Sequence, residues 1–91
     1  MPALDREARL KARLESRFSP TFLHISDEGH LHAGHVGAAD GRGHFRVKIV
    51  SDAFRGLTPL ARHRLVYGAV ADLLETEIHA LAIDALPPLE R

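Results

Sequence analysis

The chain has 91 residues, room for one domain, and its 45% apolar content suits a globular protein with a thin core. Twelve basic residues balance twelve acidic ones, so no whole-molecule field steers it to nucleic acid, and any such contact needs a local basic patch. The absence of cysteine excludes disulfides, thiol catalysis and a self-contained thiolate metal site, and it fits a reducing compartment.

The opening stretch MPALDREARLKARLE is charged throughout and has no apolar run of the kind a signal peptide or membrane span needs. A cytoplasmic protein that does not enter a membrane is therefore expected. Residues 3–17 read as a helix, because Leu10, Leu14 and Phe18 recur every four positions among strong helix formers. Ser19-Pro20 ends it, since proline cannot continue the hydrogen-bond ladder. Thr21–Ser26 follows as a short strand with Leu23 and Ile25 on one face.

His44–Val50 is the clearer strand. Phe45, Val47 and Ile49 point one way and His44, Arg46 and Lys48 the other, the pattern of a sheet covered on one side only. Between the two strands lies DEGHLHAGHVGAADGRG, which holds five of the seven glycines and no hydrophobic period. A connection of that length in a small domain is functional or flexible. It also carries His30, His32 and His35, three of the seven histidines.

After the second strand, Ser51–Gly56 reads as a turn. Thr58-Pro59 then starts a helix, with threonine as cap and proline in the first turn. That helix is expected to run to about Thr76, with Leu65, Val66, Ala69, Val70, Leu73 and Leu74 as its apolar face. IHALAI, residues 78–83, makes a third strand. Strand, crossover helix and strand favour a parallel pair with right-handed connection. The expected architecture is α/β (α+β) in the order α-β-β-α-β. A small three-stranded mixed sheet carries its helices on one face, with a tail from about residue 86.

The stretch HFRVKIVSDAFRGLTPLARHRLVYGAVADLL, followed by IHALAI, resembles the BolA family. Its most specific parts are Val50-Ser51-Asp52, Phe54, Gly56, the run Arg62-His63-Arg64-Leu65-Val66-Tyr67, and Ile78-His79-Ala80-Leu81. His32-Ala33-Gly34-His35 is also similar to the histidine-bearing loop of one BolA subgroup. The likeness runs from about Arg9 to Ile83. It implies a class II KH-like fold with a helix-turn-helix-like corner in a single domain, and the exposed sheet edge permits a monomer or a weak homodimer.

Two functions come with the resemblance. One is association with a monothiol glutaredoxin, the pair sharing a [2Fe–2S] cluster in iron–sulfur trafficking or iron-linked regulation. The isolated protein would then hold no cofactor. The other is DNA binding and transcriptional regulation. On the first reading a cysteine-free chain supplies imidazole only, as histidine does in Rieske centres. The thiolates come from the glutaredoxin cysteine and glutathione. The ligands carried over are His79 and a loop histidine, His32 or its near neighbour His35. Exposed histidines spaced H-x-H-x-x-H also take Zn²⁺ or Ni²⁺.

The DNA reading rests on basic residues: Arg42, Arg46, Lys48, Arg55, Arg62 and Arg64 stand against a single acid, Asp52, between Gly41 and Tyr67. The same surface, with His63, serves a protein partner equally well. Helical geometry spreads Arg62, His63 and Arg64 over roughly 200° of the helix, so the three do not share one ligand. They serve equally as braces around Asp52 and the turn. KH domains clamp nucleotides with a GXXG loop, and the corresponding Phe54-Arg55-Gly56-Leu57 lacks one glycine. Catalysis is not expected, because no nucleophile, base and orienting group fall on matched elements.

Overall fold

The computed structural model describes residues 3–28, 43–76 and 78–89. Helix α1 (Ala3–Phe18) buries Leu10 and Leu14 completely. It stops where Ser19 turns into the left-handed region at φ 43°, its N–H returning to the Glu15 carbonyl. Strands β1 (Phe22–Asp27) and β2 (Gly43–Val50) pair antiparallel, and β2 pairs parallel with β3 (Ile78–Leu86). The sheet order β1-β2-β3 is thus mixed, as the sequence pattern implies. Leu86 belongs to β3 rather than to a tail.

Phe45, Val47 and Ile49 sit in the core with Val66, Val70, Leu73 and Leu81, and all helices lie on that face of the sheet. Register fixes the membership of the opposite face. Phe22, Val50 and Leu86 form one row across it, His24, Lys48 and Asp84 the next, and Ser26, Arg46 and Ala82 a third.

Ser51 is the joint between these parts. Its buried hydroxyl donates to the Phe18 carbonyl (2.6 Å) and accepts from the Ala53 N–H (3.1 Å), while its own N–H donates to the Leu86 carbonyl. The side chain of this one residue thus ties the end of α1 to the 3-10 turn Asp52–Phe54, and its backbone ties both to the end of β3. Phe54 is wholly buried by that turn and meets the ring of Phe18 at 5.2 Å. Gly56 follows at φ 73°, a conformation that costs a residue with a Cβ about 1–2 kcal/mol.

The second helix starts as the sequence implies. Thr58 caps α2 (Pro59–Ala69), its hydroxyl accepting from the Ala61 N–H, with proline in the first turn. The helix does not run unbroken to Thr76. It stops at Val70, whose N–H closes a tight bond to the Tyr67 carbonyl, and α3 (Ala71–Thr76) starts from the Val70 carbonyl. Helix propensity is weak here, with Gly68 and β-branched Val70, and the break leaves both Val70 and Leu73 in the core. Leu65 is not part of the buried face. It is 43% exposed and lines a surface hollow with Leu57, Leu60 and Arg64. Arg13 binds α1 to α3 by donating to both carboxylate oxygens of Asp72 and to the Ala69 carbonyl.

Candidate functional site

The register of β3 against β2 contains one irregularity. Gly43 pairs with Ile78 but His44 pairs with Ala80, so His79 is the extra residue of a bulge. The bulge changes strand parity. Ile78 and Leu81, three positions apart, both enter the core, where a regular strand would send one of them outward. His79 is thereby left exposed at the strand's start.

Its imidazole lies against that of His44, with ring centroids 5.0 Å apart and planes tilted by 41°. Strand alternation places His44 on the outer face, as the sequence suggests, yet it is only 7% exposed and is not a solvated residue like Arg46 and Lys48. The contact with His79 supplies part of that cover. Both histidines wall an open hollow of about 490 Å³, together with Glu28, Arg46 and Tyr67.

Two interactions hold this region. Tyr67 donates its hydroxyl to the Leu81 carbonyl at 2.6 Å, fixing the backbone two residues beyond His79. Arg46 donates from Nε to the Glu28 carboxylate at 3.0 Å, across the ends of β1 and β2. Neither His44 nor Glu28 stands out from the sequence as a functional candidate. The usable signal is positional, since His44 and His79 open adjacent strands of a parallel pair. Among the described residues no group of three or more His, Cys, Asp or Glu is placed to hold a metal ion, so any site here is incomplete without further donors. His30, His32 and His35 lie outside the described residues, as does Arg42.

The basic residues do not converge on one surface. Arg46 and Lys48 are on the outer face of the sheet, and Arg55, Arg62 and Arg64 belong to the turn and helix on the other side. Arg55 is ion-paired with Asp52. Arg62 donates to the Leu57 and Ala85 carbonyls, bracing the turn and the outer edge of β3. His63 packs against Tyr67 with ring centroids 4.6 Å apart and planes tilted by 52°, and Arg64 is exposed beside Leu60 and Leu65. With Phe54 buried, Phe22 on β1 is the one exposed phenylalanine or tyrosine among the described residues, and it lies at the far end of the outer face from His79.

Comparison with known proteins agrees with this arrangement. The family model described as BolA-like protein matches residues 14–90. The chain is 43% identical to BolA-like protein 1 of Mus musculus, over 92% of this chain and 59% of that protein. It is 42% identical to SufE-like protein 1, chloroplastic/mitochondrial, of Arabidopsis thaliana, over 94% of this chain and 24% of that one. The chain thus spans about a quarter to three-fifths of these relatives. The solved BolA domain of SufE1 from Arabidopsis thaliana superposes with a TM-score of 0.81 at 40% identity, covering 91% of this chain and 92% of that domain. No described helix is long and apolar enough to cross a membrane. The order α-β-β-α-β, the mixed sheet and the matched sequence agree, and the chain belongs to the BolA-like family.

Proposed function

We propose that this protein is a non-catalytic adaptor that binds a monothiol glutaredoxin and contributes histidine to a [2Fe–2S] cluster shared between them. The observation that carries the reading is the bulge at His79, which presents an exposed imidazole at the start of β3 in a chain with no thiolate of its own. The donor set fits such a group, because imidazole is an accepted cluster ligand and the remaining ligands must be thiolates from elsewhere. His79 would be the fixed ligand and His32 or His35 the second. The likeness to a domain of SufE1 and to BolA1 proteins supports an iron–sulfur role. The proposed compartment is the cytosol, on the cysteine-free composition.

Mixing the protein with a cluster-loaded monothiol glutaredoxin tests the reading. Visible absorption and circular dichroism should change as imidazole replaces thiolate, and His79→Ala should abolish the change. His32→Ala and His35→Ala then identify the loop ligand. An unchanged spectrum with the wild-type protein refutes the proposal. DNA binding is less well supported, since the basic residues are split between two faces of the sheet and Arg46, Arg55 and Arg62 are already engaged. Affinity for duplex DNA that falls with salt and with Lys48→Ala would restore it.

A further inference from the structure

We propose that β1 is a self-association edge, at which a second copy of this chain adds its own β1 antiparallel and joins two three-stranded sheets into one of six strands. The interface lies at the opposite edge of the sheet from β3 and His79, and it does not depend on the cluster reading.

The two edges of the sheet are treated differently. On β3, Arg62 and Tyr67 engage the Ala85 and Leu81 carbonyls, so side chains already occupy that edge. On β1, the Glu28 N–H donates to the His44 carbonyl at 2.7 Å, continuing the register in which Ser26 faces Arg46 and His24 faces Lys48. Antiparallel strands alternate between residues that bond to the neighbour and residues that point away from it. His24 and Ser26 therefore spend their backbone groups on β2, and Leu23 and Ile25 aim theirs outward. Among the described residues no strand pairs with that edge. Natural edges are blunted by lysine, proline or a bulge, yet Phe22–Asp27 holds no lysine or proline and its register with β2 is unbroken.

Side chains select a second copy as the occupant. Leu23 and Ile25 lie on the core face beside Ile49 and Val47, which are wholly buried, but are themselves only half-buried. Antiparallel pairing about a twofold axis through His24 sets Leu23 against Ile25 of the second copy, and Ile25 against its Leu23. The outward backbone groups of these residues are then satisfied, and the apolar edge of each core is covered by the other. On the outer face the same register places Phe22, 50% exposed, against Ser26 of the second copy, and His24 against its equivalent. No opposed pair from Phe22 to Ser26 brings together two like formal charges with histidine neutral. Two short strands bury little area, so the association is weak and concentration-dependent.

The chain has no cysteine, which makes single-cysteine cross-linking clean. Residues opposed in a pair that does not exchange hydrogen bonds have Cα atoms about 4.5 Å apart, within disulfide range. His24→Cys should therefore give a disulfide dimer in oxidised glutathione. Lys48→Cys, one strand further in on the same face, would lie about 14 Å from its equivalent and should stay monomeric. Phe22→Cys mixed with Ser26→Cys should form the heterodimer in preference to either homodimer. In the wild-type chain, amide exchange at Leu23 and Ile25 should slow as concentration rises, with Ile83 on β3 unaffected. Equal cross-linking of His24→Cys and Lys48→Cys overturns the proposal, because it reports random collision. So does wild-type protein that sediments as a monomer in concentrated solution, or concentration-dependent protection at Ile83 in place of Leu23 and Ile25.

Discussion

Tyr67→Phe isolates the interaction that holds β3 just beyond His79. The substitution keeps the ring, and with it the tilted contact with His63 at 4.6 Å, and removes only the hydroxyl that reaches the Leu81 carbonyl at 2.6 Å. That bond is partly buried, so the carbonyl loses a donor that water only partly replaces. A bond of this kind contributes about 1–2 kcal/mol once the cost of the orphaned acceptor is included. In a domain of this size each kcal/mol moves Tm by about 4–8 °C, so a fall of roughly 4–16 °C is expected. The change should also be local. Amide exchange should accelerate at Ala80–Ile83 well beyond what the global loss explains, while Val47 and Ile49 follow global unfolding. A Tm within a degree of wild type, or exchange raised evenly across the sheet, would refute the claim that Tyr67 pins this strand.

Other expectations follow from single residues. Phe54→Ala should cost about 3–5 kcal/mol, since the ring is wholly buried against Phe18. A domain of this length has roughly 5–14 kcal/mol in total, so a urea melt should show a large loss, and a small one would mean the turn repacks. Gly56→Ala should lose about 1–2 kcal/mol, because a Cβ is disfavoured at φ 73°. A neutral result in the same melt would show that the turn relaxes. The hydrogen bonds from Arg13 hold the Asp72 carboxyl at about 2, below its ordinary 3.8. A depressed acid stabilises the fold above its unfolded value, and the benefit fades as pH falls from about 4 to about 2. Asp72→Asn should therefore be slightly less stable than wild type at neutral pH, with the difference closing by pH 2. A gap constant with pH contradicts the pairing.

The parts of the fold that local pattern controls were legible in the sequence. Leu10 and Leu14 at a spacing of four made α1, Thr58-Pro59 marked the start of α2, and the alternation of Phe45, Val47 and Ile49 identified the core face of β2. Features set by partners distant in sequence were not legible. Leu65 and Val66 are neighbours on the same helical pattern, and only the position of the sheet decides that Val66 goes inward and Leu65 outward. The bulge at His79 has no local signature, because it exists only relative to the register of β2 thirty-five residues earlier. The burial of His44 follows from the same long-range pairing. His79 itself came from the resemblance, since a lone histidine at a strand start carries no chemical signal.

The residues that carry the family likeness divide into two kinds. Ser51, Phe54, Gly56, Arg62 and Tyr67 are occupied in joining backbone segments, closing the turn or filling the core. Arg62 and Tyr67 have a particular effect, as they engage two carbonyls, Ala85 and Leu81, of an edge strand. Side chains that cover such an edge discourage pairing with another chain. They also hold the strand on whose first turn outward His79 depends. The motif is therefore mostly architecture, and its Arg62 is a brace before it is a charge offered to a partner. His79 is exposed at the start of β3 and lies outside the buried core, so His79→Ala should leave the fold intact, whereas Ser51→Ala should loosen the junction of α1 with the turn.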